Sequence, residues 1–156
     1  MKKTRLQQLL EDANRNNTND GHVLSREEKL SLWISHVIPQ SCIFLLEKDT
    51  SVINYHYDIP ANVSPMYFEN GLYMEEMLAE YRKLPDGETF CIIIHNIDDI
   101  DVRSQYIFNG IVKDRVYNCT DKLPEKVQIV ITLSKSENRV KINQALWNLG
   151  QNLLDW

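Results

Sequence analysis

Asp98, Asp99 and Asp101 stand close together just past the apolar run Phe90-Cys91-Ile92-Ile93-Ile94. Carboxylates at the end of an apolar strand are the residue type that binds Mg²⁺. Such sites usually complete the ion's shell with substrate phosphates, so this chemistry calls for a nucleotide nearby. A solvated loop at a strand terminus is the plainer reading of the same residues. A phosphate loop needs glycines, so that successive backbone N–H groups can turn toward phosphate oxygens, and it needs the lysine and hydroxyl of G-x-x-x-x-G-K-[ST]. After the apolar run Cys42 to Leu46 the chain reads Glu47-Lys48-Asp49-Thr50-Ser51-Val52-Ile53-Asn54, and no glycine falls between Gly21 and Gly71. Glu47 and Asp49 would each repel a bound triphosphate by on the order of a few kcal/mol at moderate effective dielectric. Lys48 alone does not offset both. His22, His36, His56 and His95 are dispersed and give no zinc spacing. No nucleophile elbow, Ser/His/Asp order or Cys/His pair is present. The expectation is a chain without catalytic residues, cofactor or metal; a metal-dependent enzyme using Asp98, Asp99 and Asp101 is the rival.

The elements that would position these residues alternate. Ser25-Arg26-Glu27-Glu28 has the spacing of a capping box. The helix it opens carries Leu30, Trp33, Ile34 and Val37 as an apolar stripe and closes at Pro39. Cys42–Leu46 predicts a buried strand, and Val52–Tyr57 a second one with alternating sides. Leu72–Leu84 predicts a helix with Tyr73, Met77, Tyr81 and Leu84 at helical spacing, followed by a Pro85-Asp86-Gly87 turn. Phe90–Ile94 is apolar on both faces, as an interior parallel strand should be. Val102–Tyr117 predicts a helix with Tyr106, Ile107, Ile111 and Val112 inward, and Val127–Leu133 another strand. Ser134-Lys135-Ser136-Glu137 offers a second capping box, ahead of a helix through Ala145, Leu146 and Leu149 that Gly150 stops. This alternation predicts an α/β fold, a three-layer α/β/α parallel sheet of the degenerate P-loop or AAA+-like ATPase type.

With 156 residues, 43% hydrophobic and 25% charged, the chain suits one ordinary domain rather than a disordered segment. Residues 1–22 divide into a short helix, with Leu6, Leu9 and Leu10 on one face, and a polar linker, leaving 23–156 for the α/β domain. No apolar run approaches the ~20 residues of a membrane span, and no long apolar segment follows the basic start as a secretory signal requires. Cys42, Cys91 and Cys119 have no paired spacing and fit reduced thiols in cytosol or nucleus. A net charge of −5 argues against strong autonomous binding to nucleic acid.

The string Ile93-Ile94-His95-Asn96-Ile97-Asp98 resembles subunit 2 of the eukaryotic origin recognition complex. That family carries an apolar strand running into I-H-N-I-D or I-H-N-L-D where a working ATPase has two acidic residues. It follows with a leucine–arginine step and a glutamine, where Val102-Arg103 and Gln105 stand here. Its second strand is matched by Ile129 to Ser134, although its aspartate and histidine are replaced by Lys135 to Asn138. Its later L-W and, a short helix on, its phenylalanine/asparagine–tryptophan pair fall at Leu146-Trp147 and Leu154-Asp155-Trp156. Upstream, Trp33 and Ile43–Leu46 agree, but the family's glycine–serine–lysine turn is gone. The likeness covers Glu28 to Trp156 and stops short of the family's winged-helix domain.

The resemblance implies a nuclear, non-catalytic structural subunit that supports assembly on origin DNA and initiation of replication. The implied partners are the other subunits, especially subunit 3, with origin DNA held mainly through the complex and no membrane. An inactive ATPase-like adaptor of another assembly, such as a clamp loader, is the alternative. His95 and Asn96 would organise the strand end or simply cap it. Asp98 would accept backbone N–H groups at the start of the next helix. Arg103 would meet a partner, a DNA phosphate or only water. Trp33 and Trp147 are core candidates, and Trp156, at the terminus, is an interface candidate.

Overall fold

The structure, a computed structural model, describes residues 24–37, 40–62, 72–116 and 121–152. Helix α1 spans Arg26–Ile34 and starts as its sequence requires, with the Ser25 hydroxyl accepting the Glu28 N–H at 3.2 Å. Strand β1 (Cys42–Leu46) follows, then a 3₁₀ helix (Glu47–Val52), β2 (His56–Pro60) and α2 (Leu72–Tyr81). Strand β3 (Phe90–His95) leads through short 3₁₀ turns at Ile97–Asp99 and Ser104–Tyr106 into α3 (Ile107–Lys113). Strand β4 (Val127–Leu133), a 3₁₀ stretch (Ser136–Lys141), α4 (Gln144–Asn148) and β5 (Gly150–Asn152) complete the order.

The five strands form one parallel sheet in the order β2-β3-β4-β1-β5. Because successive strand residues point to opposite faces, the apolar residues of each interior strand divide between two cores. Phe44, Ile92, Ile94, Ile129 and Ile131 pack with Met74 and Met77 of α2, Phe108 and Ile111 of α3, and Leu146 of α4. Ile43, Leu45, Cys91, Ile93 and Val130 pack on the other side with Leu30, Trp33 and Ile34 of α1. Helices on both faces of a parallel sheet are the three-layer α/β arrangement the alternation predicts.

Several local expectations give way. The residues after β1 coil into a 3₁₀ helix, closed by the Thr50 hydroxyl on the Glu47 carbonyl (2.9 Å) and by the Ile53 N–H on the Thr50 carbonyl (3.0 Å). The second strand therefore begins at His56 rather than Val52. It lies at the sheet edge, where Pro60 removes no ladder donor that an interior neighbour needs. The helix expected from Val102 is α-helical only from Ile107. Its inward residues are Gln105, Phe108, Ile111 and Val112, whereas Tyr106 is 67% exposed. Ser134 and Ser136 do not cap a helix. The Ser134 hydroxyl is engaged by Asp98, and the last helix starts at Gln144, where the Asn143 side chain accepts the Ala145 and Leu146 N–H groups. The helix ends just before Gly150, as expected, but Gly150 takes no left-handed cap conformation and begins β5, paired with Cys42. The helix expected to reach Leu84 ends at Tyr81, and Gly87 takes the positive φ (83°) of the expected turn. The arm and linker expected over residues 1–22, together with Pro39, Cys119, Leu154, Asp155 and Trp156, lie outside the described residues.

Candidate functional site

Ligands of open α/β sheets bind beyond the carboxyl ends of the strands, so the residues leaving β1, β3 and β4 define the place to look. Position parity selects which side chains meet there. Glu47 continues the face of Ile43 and Leu45, His95 that of Cys91 and Ile93, and Thr132 that of Val130, while His56 and Asp58 share one face of β2. All of these point to the α1 side of the sheet, and at its end they join into one hydrogen-bonded chain.

Thr132 stands at its centre. The Thr132 hydroxyl accepts the Asn96 N–H at 2.9 Å and donates to Glu47 Oε2 at 2.5 Å. His95 bridges two carboxylates, with Nδ1 2.6 Å from Glu47 Oε1 and Nε2 2.6 Å from Asp58 Oδ1. Asp58 also meets His56 Nδ1 at 3.1 Å. Partial burial of the His95 ring disfavours its charge, but the hydrogen bonds and negative charges of Asp58 and Glu47 outweigh it and raise its pKa above 6.5. Asn96 is left-handed (φ 59°, ψ 56°), a conformation asparagine tolerates better than most residues. Its main contribution to the network is thus its backbone N–H.

Glu47 is the first residue after β1, and its carboxylate holds the Thr132 hydroxyl and the His95 imidazole. Asp49 pairs with Arg26 of α1 at 3.0 Å, and Lys48 is exposed. Glu47 and Asp49 are accordingly engaged by different partners.

Asp98 binds across the sheet end, not into the start of its own helix. Its carboxylate accepts the Ser134 N–H (3.2 Å), the Ser134 hydroxyl (2.5 Å) and the Asn138 amide (2.7 Å), tying the end of β3 to the segment after β4. Desolvation pushes its pKa up, but these donors outweigh it, and the net shift is below 3.8. The helix-start role belongs to Asp101, which accepts the Ser104 N–H at 2.6 Å. Among the described residues no group of three or more His, Cys, Asp or Glu side chains is arranged to hold a metal ion.

The remaining residues singled out in the sequence lie apart from this network. Gln105 is fully buried; its amide donates to the carbonyls of Ile97, Ile100 and Lys141, and its oxygen accepts the Asn143 N–H at 2.6 Å. Arg103 is exposed. Trp147 is half-buried on the opposite face of the sheet, its ring 4.8 Å from that of Phe44, with the Arg139 guanidinium 5.7 Å from its centroid. Motif reading missed Asp58, Thr132, Ser134 and Asn138, and saw Glu47 only as a repulsive charge. The signal that would find Glu47 and Thr132 is parity, since each ends the alternate apolar series of its strand; Asp58, Ser134 and Asn138 carry no such signal.

No protein-family model matches the chain, and no curated protein sequence matches it either.

Proposed function

We propose that this chain is a non-catalytic, AAA+-like structural subunit acting by contact within the origin recognition complex, in the manner of its subunit 2. Its partners in this reading are the other subunits, above all subunit 3, and origin DNA is engaged through the complex in the nucleus. The observation that carries the reading is Glu47. The turn after β1 is a 3₁₀ helix whose first side chain is an acid bound to Thr132 and His95, where a nucleotide-binding relative would present glycine N–H groups and a lysine. A carboxylate held there meets a phosphate with like charge and has already taken its donors.

Two further features support it. The polar-ended strand β4 lies between the acidic-ended β3 and β1, the layout expected of an AAA+-type core. The Ile-His-Asn-Ile-Asp string sits at the end of β3, where the resemblance requires it. Asp98 and Asp101 bind Ser134, Asn138 and Ser104, which favours the contact reading over a metal-dependent enzyme built on them.

Thermal unfolding with and without millimolar Mg-ATP tests the inactive site. A ligand at 100 times its Kd adds about 2.7 kcal/mol of stability, so bound ATP would raise the Tm visibly. An unchanged Tm is expected, and a clear rise overturns the reading. Affinity purification of the chain from its native cells tests the assembly. Recovery of origin recognition subunits is expected, whereas recovery of clamp-loader subunits instead would assign it to the adaptor class.

A further inference from the structure

Both nitrogens of the His95 ring face carboxylate oxygens at 2.6 Å. A carboxylate can only accept, so each contact needs a proton on the ring nitrogen. Between an imidazolium with two carboxylates and a neutral imidazole with one protonated acid, the proton favours the ring, the more basic group by about two pKa units. Glu47 Oε2 also meets the Thr132 hydroxyl, whose oxygen accepts the Asn96 N–H. As a carboxylate Glu47 accepts at both oxygens, and Asp58 Oδ1 faces two histidine nitrogens.

We infer that His95 is a proton-gated latch at the end of the sheet. As an imidazolium it ties Glu47, on the turn after β1, to Asp58 on the edge strand β2; as a neutral ring it holds only one of them. The proton leaves to solvent from a ring that retains 22% exposure, and one hydrogen bond is lost with it. The Asp58 contact is the one to open, because its side chain is 52% exposed against 39% for Glu47 and is more readily rehydrated.

The latch spans elements that no backbone bond joins directly. β1 and β2 occupy opposite sides of the sheet, separated by β4 and β3. The charged neighbours of the ring are Glu47, Asp58 and, through Asp58, His56. Arg26 of α1 is engaged by Asp49, and Asp98 faces Ser134 and Asn138. Among the described contacts of the two acids, His56 Nδ1 shares Asp58 Oδ1 with the ring, at 3.1 Å against 2.6 Å. The raised pKa of His95 agrees with the geometry. Its contribution to stability is full below the ordinary histidine value of 6.5 and is lost as pH rises through the higher folded value. The end of the sheet therefore loses this tie as pH rises above the ordinary histidine value. This inference rests on the hydrogen-bond geometry alone and is independent of the proposed assembly.

Proton-detected NMR of the assigned histidine rings in the full chain tests it directly. A His95 midpoint above 6.5 is expected, falling in Asp58→Asn and in Glu47→Gln. A midpoint at or below 6.5, or one indifferent to both substitutions, overturns the latch. Thermal unfolding between about pH 6 and about pH 8 gives a second readout. The wild-type Tm should fall over that interval, and His95→Gln should flatten the fall; an equal fall in the variant overturns the inference. Should His95→Gln fail to fold, the midpoint shift in Asp58→Asn decides alone.

Discussion

Gln105 and Lys141, 36 residues apart, are joined by a 2.7 Å hydrogen bond from the buried Gln105 amide to the Lys141 backbone carbonyl. The same side chain also holds Ile97, Ile100 and Asn143, so one residue fixes the exit from β3 against the entry to α4. A buried polar group with every partner in place rigidifies its surroundings, whereas a half-satisfied one destabilises them. Gln105→Leu keeps the volume and orphans the Asn143 N–H and the carbonyls. It should lower stability by about 2 kcal/mol. The urea midpoint measures this, and an unmoved midpoint would mean that water replaces the side chain at no loss.

Gly150 is tied to Phe44 by contact rather than by a bond. A Cβ at position 150 would lie 2.0 Å and 2.3 Å from Phe44 ring carbons, and that ring is held against Trp147. Gly150→Ala must displace the ring or part β5 from β1. Overpacking of this kind typically costs about 1–3 kcal/mol. In a Phe44→Leu background the same substitution should cost markedly less, because the two positions are coupled. Equal losses in both backgrounds would place the strain elsewhere.

The three interior strands were legible because they are short, apolar and bounded. Edge strand β2 was expected four residues early, and the three-residue edge strand β5 was not expected. Cys42–Leu46 and Val127–Leu133 emerge with the ends that hydropathy gives them, and Phe90–Ile94 gains only His95. Less legible were the connections. Serine at Ser25 caps a helix, but Ser134 in a similar string binds Asp98 instead, because a carboxylate from β3 reaches it across the sheet end. Glu47 shows the same limit. Its charge argued against phosphate, yet its partners His95 and Thr132 come from β3 and β4, 48 and 85 residues away. Local patterns carry no information on such pairs until the strand order is known.

Cys42 and Cys91 face opposite cores of the sheet, both fully buried. Burial in apolar surroundings disfavours the thiolate, pushing Cys91 up to about 12 and Cys42 upward as well. Since the thiolate is the reactive form, neither should react with an aromatic disulfide reagent at neutral pH in the folded chain. In a Cys119→Ser background, labelling should appear only with denaturant, at the rate of unfolding. Rapid labelling of either thiol in the native chain would show that its core opens locally.

Asp98 makes the end of β3 sensitive to acid. Its folded pKa lies below the ordinary 3.8, since the Ser134 and Asn138 donors outweigh desolvation. A depressed carboxylate contributes stability that is complete above the ordinary value and is lost as pH falls through the folded one. The loss belongs to the protonated acid, which gives up acceptor capacity to the Ser134 N–H, the Ser134 hydroxyl and the Asn138 amide together. Asp98→Asn should therefore be less stable than wild type near neutrality, yet lose less further stability on acidification below about pH 4. Chemical denaturation at about pH 7 and about pH 3 measures both differences. If the two proteins lose stability in parallel, the carboxylate is solvated in solution and the cross-sheet tie does not form. Ser134→Ala gives an independent check, because removing one donor should move the acid loss toward higher pH without removing it.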